Sequence, residues 1–189
     1  MIEHHQNRGQ AGVSRARHPW RGTVIRCILA LGLGCGGRDG VSADRNDLST
    51  MNTARIGIGD HSFEVWLATN QAERQRGLMQ VAQGELAPIP DESGQGLADT
   101  YRGMLFVFPT EQPLSFWMLN TIIPLDIAYI RTDGAIVSTY TMAPLETRSY
   151  PSVEPARFAL EVQAGLFAKL GIAPGNHVEI PESVLKGMP

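Results

Sequence analysis

Cysteine is almost absent from this chain, and the two present, Cys27 and Cys35, both lie near the N-terminus. Everything after Cys35 therefore has no disulfide, no thiol nucleophile and no zinc–thiolate centre. Histidine is nearly as scarce: past the first 35 residues only His61 and His177 remain. Downstream of residue 52 there is no His-Glu-x-x-His, no Gly-x-Ser-x-Gly, no phosphate loop and no dinucleotide fingerprint. Metallohydrolase, serine hydrolase, kinase and Rossmann oxidoreductase lose their usual signatures, and no cofactor is expected. No apolar run reaches the ~20 residues of a spanning helix. Positive charge is also short after Cys35, with 11 Lys+Arg against 18 Asp+Glu. An acidic body repels phosphate backbones, so nucleic acid is not an expected partner.

What is present begins with a basic head. Five arginines (Arg8, Arg15, Arg17, Arg21, Arg26) face one acid, Glu3, in the first 26 residues. The apolar run Cys27 to Leu33 follows, and small residues then surround Cys35. Charged region, short apolar region and small-residue cleavage site are the order of an export signal, here 1–35. The "LGLGC" ending suggests a bacterial lipoprotein, secreted to the periplasm or cell envelope, with Cys35 carrying the lipid. Gly32 stands where a leucine is usual in such signals. The alternative is a start at Met51, which would make the leader meaningless. Residues 36–52 are polar, glycine-bearing and aperiodic, and read as a flexible linker. Residues 53–189 read as a single β domain, which at this size buries roughly 68–70% of its unfolded surface.

Periodicity gives the domain its elements. "RIGIGDHSFEVWLAT" alternates on both sides of Gly59-Asp60 and predicts a hairpin. Asn70, with Glu73 three residues on, predicts a capped helix over 71–76, closed by Gly77. "GELAPIPDESGQGLADTYR" reads as a long surface loop. "GMLFVFP" predicts a strand stopped by Pro109, and "LSFWMLNT" the next one. Pro124 opens another, and "IAYIRTDGAIVSTYTM" folds back around Asp133-Gly134. "PARFALEVQ" predicts a strand, "AGLFAKLG" a helical turn or two, and "HVEI" a last short strand. The sum is mostly β: a compact antiparallel β-sandwich or barrel with one or two short helices.

Several of these stretches together resemble the domain-of-unknown-function family 192, the uncharacterised ancient conserved region family. The matching blocks are "ERQRGLM", "GMLFVFP", "FWMLNTIIPLDIAYI", Gly134, "YPS…PARFALEVQAG" and "GIAPGNHVEI". The resemblance implies a compact, mostly antiparallel β fold, often exported by bacteria, and no assigned activity. The chain departs from the family pattern at Leu119, where lysine is usual, and at Asn176, where aspartate is usual. Its loop before Gly103 is also longer than typical.

The candidate site residues come from polar groups set among apolar ones. "SFWMLNTIIPLDIAYI" carries Asn120, Thr121 and Asp126, and "FALEVQ" carries Glu161. An unpaired buried polar group costs ~1–3 kcal/mol, so each needs a partner or a use. One reading makes Asn120 and Asp126 structural, bonding loose backbone N–H groups at the bend "TIIP". The other places them in a cleft with Arg76 and Glu161, an arginine being the natural partner of a buried acid. Trp117 and Trp66 are aromatic platforms or core. The methionines Met79, Met104, Met118 and Met142 fill gaps in a core, or gather as a soft-metal site for Cu(I). The ligand-binding candidates are thus Arg76, Trp117, Asn120, Thr121, Asp126 and Glu161. The first reading is a non-catalytic exported domain that binds a small molecule or a protein partner, touching membrane only through a lipid anchor. The alternatives are an enzyme using Asp126 and Glu161 as acid and base, and a periplasmic copper binder. Whether both carboxylates open onto one pocket discriminates between the first two.

Overall fold

The alternation around Gly59-Asp60 becomes the antiparallel pair β1 (Thr53–Ile58) and β2 (His61–Ala68), with Ile58 opposite His61. The computed structural model describes residues 45–90 and 100–186. The expected export signal with Cys35, the linker before Arg45, and part of the predicted long loop lie outside the described residues. After β2 come α1 (Gln71–Arg76), a 3-10 turn at Gln83–Leu86, β3 (Tyr101–Gln112) and β4 (Ser115–Phe116). Then follow β5 (Leu125–Ile130), β6 (Ile136–Met142), β7 (Tyr150–Pro151) and β8 (Ala156–Gln163). The described part ends with α2 (Leu166–Leu170), β9 (Val178–Glu179) and α3 (Glu182–Leu185).

Seven strands form one curled sheet in the order β6-β5-β8-β3-β2-β1-β9, a half-barrel, and β4 pairs with β7 apart from it. The two ends of the sheet approach where Ala135 bridges His177, with backbone bonds joining 134–136 to 175–178 around it. The turn before that bridge is tied by Asn176, whose Oδ1 accepts the Ala173 N–H at 2.7 Å. An amide oxygen can accept this bond in place of the aspartate that the resemblance leads one to expect here.

Both faces of the central strands are apolar, so the sheet has two cores. Phe63, Val65, Leu105, Phe158, Leu160 and Val162 fill the concave side. Trp66, Met104, Phe106, Ile127, Tyr129 and Ala159 cover the other, under Leu78, Met118 and Ile123 from the loops. Each large side chain so buried contributes ~1.5–3 kcal/mol, which fixes the strand register. At Gly103 a Cβ would stand 2.4 Å from the Glu161 carbonyl oxygen. Only glycine lets β3 lie this close to β8.

Four expectations need correction. β2 and β3 run parallel, Phe63 beside Tyr101. The connection over 69–100, with α1 inside it, is long enough to carry the chain back over the sheet. Pro109 does not stop β3. It sits where the pairing with β8 shifts between Val107 and Gln112, so its missing N–H breaks no ladder bond. "LSFWMLNT" is a strand only at its start. The Met118 N–H bonds the Glu146 carbonyl and the Thr121 N–H the Met118 carbonyl, so the chain turns there. Its apolar residues serve a loop core, and period-two assignment of their faces fails.

The fourth correction concerns the linker. Its described part, 45–52, lies against the domain. Asn46 is buried and donates to the carbonyls of Glu73 at 2.9 Å and Gly77 at 3.0 Å. Leu48 is buried in the outer core, and Arg45 pairs with Glu85 at 2.7 Å. Composition missed this because the anchoring is done by an amide and a guanidinium capping backbone carbonyls, which leaves no apolar rhythm.

Candidate functional site

The sheet places one carboxyl where folding alone gives it no use. Glu161 sits on central strand β8, opposite Met104 of β3 and Ile127 of β5, with its side chain on the outer face. It is only 4% exposed. Among the described residues it forms no ion pair and accepts no hydrogen bond. The arginine partner expected for it is absent among the described residues. Burial alone pushes its carboxyl up to about 8, so it holds its proton at neutral pH. Burial, then Glu161 and Tyr140, also push the Tyr129 hydroxyl up, and it donates to the Tyr150 carbonyl.

A cleft opens over this carboxyl. Its volume is about 620 Å³, within the range of small-molecule sites. One wall is α1, which the sequence specifies fully. Asn70 accepts the Glu73 N–H at 2.9 Å, and Glu73 accepts the Asn70 N–H at 3.2 Å. The helix ends at Gly77, whose φ of 48° with ψ of −129° is open essentially to glycine alone. A Cβ there would lie 3.0 Å from the Phe106 ring and 3.9 Å from a Glu161 oxygen. The missing side chain is what leaves the acid uncovered. The opposite wall is aromatic: Phe116 stands edge-on to Phe106 at 4.8 Å between centroids, and Trp117 is 54% exposed. At the mouth stand Arg74 and Arg76. Arg74 donates to the Val107 carbonyl at 3.0 Å and lies over Phe108. Arg76 is exposed and makes no ion pair among the described residues.

Four of the six predicted site residues therefore line one cleft: Arg76, Trp117, Thr121 and Glu161. Asn120 does not line it. It holds a left-handed turn at φ 57°, a conformation asparagine tolerates, and its carbonyl accepts the Gln80 N–H at 3.0 Å. Asp126 points to the other face of the sheet. It accepts the Thr141 hydroxyl at 2.7 Å and the Phe167 N–H at 3.0 Å, fixing the start of α2. The two carboxylates share no pocket, so the acid–base pair Asp126 and Glu161 does not exist. Asp126→Asn, which keeps shape and removes charge, is expected to cost ~1–2 kcal/mol in a urea titration, because charge-assisted bonds exceed neutral ones. Unchanged stability would contradict this structural role.

Trp66 is core, and Met104, Met118 and Met142 are fully buried with it, while Met79 lines the cleft. Among the described residues no group of three His, Cys, Asp or Glu could hold a metal ion. Sequence reasoning missed Arg74, Phe106 and Phe116. The signal for Arg74 was the block "ERQRGLM", where a short capped helix ends at a glycine, whereas Phe106 and Phe116 lie in "GMLFVFP" and "SFWMLN", where nothing local separates a cleft ring from a core ring.

Comparison with known proteins gives the chain a family. The family model DUF192, described as "Uncharacterized ACR", matches residues 54–180. The chain belongs to that family. A crystal structure of a candidate transcription regulator from Sinorhizobium meliloti 1021 is similar at 31% identity and a TM-score of 0.59, covering 68% of this chain and 94% of that one. A protein of unknown function from Novosphingobium aromaticivorans DSM 12444 is similar at 29% identity and a TM-score of 0.59, covering 72% of this chain and 91% of that one. No curated protein matches the chain significantly. The DUF192 match spans α1, the aromatic strands and β8, and so contains every cleft residue named above.

Proposed function

We propose that this DUF192 chain is an exported, non-catalytic domain that binds a small molecule in the cleft over Glu161. The observation that carries the reading is the cleft itself: a buried acid on its floor, unpaired among the described residues, left accessible by Gly77 and flanked by the exposed Trp117. A protein that only needed to fold would gain by placing an apolar residue at Glu161, since burying an unpaired polar group costs ~1–3 kcal/mol. Export is supported by the basic head and the apolar run before Cys35. The description of the Sinorhizobium protein as a regulator is not carried over, because the acidic body disfavours a phosphate backbone.

The test is a compound library screened by protein NMR, following the Trp117 indole N–H. Hits that shift Trp117, and lose affinity in Trp117→Ala and Glu161→Gln, support the reading. A broad library with no hit at the cleft contradicts it. Mass spectrometry of the membrane fraction checks the export half: a lipid on Cys35 is expected, and an intact leader in the cytoplasm would contradict export.

A further inference from the structure

We propose that the cleft takes a small zwitterion, its ammonium group seated against Glu161 and its anionic group held at the Arg76 rim. This rests on the ligand-binding reading above and gives it a chemical class. The floor and walls select positive charge. Among the described residues Glu161 is the only acid lining the cleft, and the rings of Phe106, Phe116 and Trp117 line it too. Aromatic faces and a carboxylate both attract an organic cation, more strongly where water is excluded.

The mouth selects the opposite sign. Arg74 is held by the Val107 carbonyl and by Phe108, while Arg76, on the same helix, has no ionic partner among the described residues. A plain amine would meet Glu161 but would leave the Arg76 guanidinium without a partner. A plain acid would meet both guanidinium groups well but would leave its apolar end against the Glu161 carboxyl. A molecule with both charges, separated by an apolar linker, satisfies floor and rim together.

The proton balance follows from the surroundings of Glu161. The titratable group coupled to it is Tyr129 from β5, whose hydroxyl stays protonated, while Arg74 and Arg76 from α1 line the same cleft without setting its charge. Free, the carboxyl is neutral near pH 7 because burial raises it to about 8. An ammonium beside it favours the ionised form, so binding transfers that proton to the buffer and forms an ion pair. No covalent bond changes.

The test is calorimetry on the full chain at pH 7 in two buffers of different ionisation enthalpy. The probes are γ-aminobutyrate and ε-aminocaproate, with butylamine, hexylamine, butyrate and caproate as their halves. The amino acids are expected to bind at least about tenfold more tightly than either half, with release of about one proton. Glu161→Gln should abolish the proton release and weaken binding at least about tenfold. Trp117→Ala should weaken it about threefold. Equal binding of the alkanoates, binding without proton release, or unchanged affinity in Glu161→Gln would overturn the proposal. So would failure of every amino acid to bind. In that case the ligand-binding reading stands if other library compounds still shift Trp117, and falls with it if none does.

Discussion

Glu161→Gln should stabilise the protein by about 4 kcal/mol at pH 8.5 and leave its stability nearly unchanged at pH 4, because burial raises the folded-state carboxyl from 4.5 to about 8. Below 4.5 the acid is protonated in both folded and unfolded chains, so its ionisation contributes nothing. Between 4.5 and about 8 the unfolded chain gives up the proton and the folded chain keeps it. Stability therefore falls as pH rises, by ~1.4 kcal/mol per unit, until the folded acid also ionises. Glutamine has nearly the same shape and no proton to lose, so the slope disappears. Urea titrations of both proteins across this range read the effect directly. Parallel curves would mean that Glu161 is already ionised and paired in the folded state.

Removing residues before Thr53 should cost ~3 kcal/mol and lower Tm by about 10 °C relative to a chain starting at Arg45. Leu48 contributes ~2 kcal/mol of burial. The two bonds from Asn46 to the carbonyls of Glu73 and Gly77 contribute ~1 kcal/mol each, less the entropy of ordering the segment. Asn46→Ala alone should show about half the loss. The effect reaches the cleft, because the two carbonyls belong to α1 and its closing glycine. Identical melting of the two chains would show that the segment is a tether after all.

How much of this was legible follows from what each residue does. Hairpins, helix caps and the buried strand around Glu161 were readable because they repeat local rules: period two, Asn-x-x-Glu, Asp-Gly. The strand-like reading of "LSFWMLNT" failed because its apolar residues pack in a turn, and Asn120 supplies a backbone conformation that composition does not reveal. The parallel pairing of β2 and β3 was hidden in a connection without strong pattern. At the site, Glu161 was legible as an acid among apolar neighbours. Asp126 looked the same in sequence, and only the sheet register separates it, since adjacent residues on paired strands face opposite sides. Gly77 was legible as a helix terminator, but its role in uncovering Glu161 depends on Phe106 from another strand.

The account stands on Glu161 being a neutral, unpaired acid beneath an open cleft, and the titration of its own carboxyl carbon tests that most directly. In the free protein, followed by carbon-13 NMR with Glu161→Gln to assign the resonance, the midpoint should lie near 8. A midpoint at or below the ordinary 4.5 would contradict it, and would mean that a partner inside the fold already holds the charge.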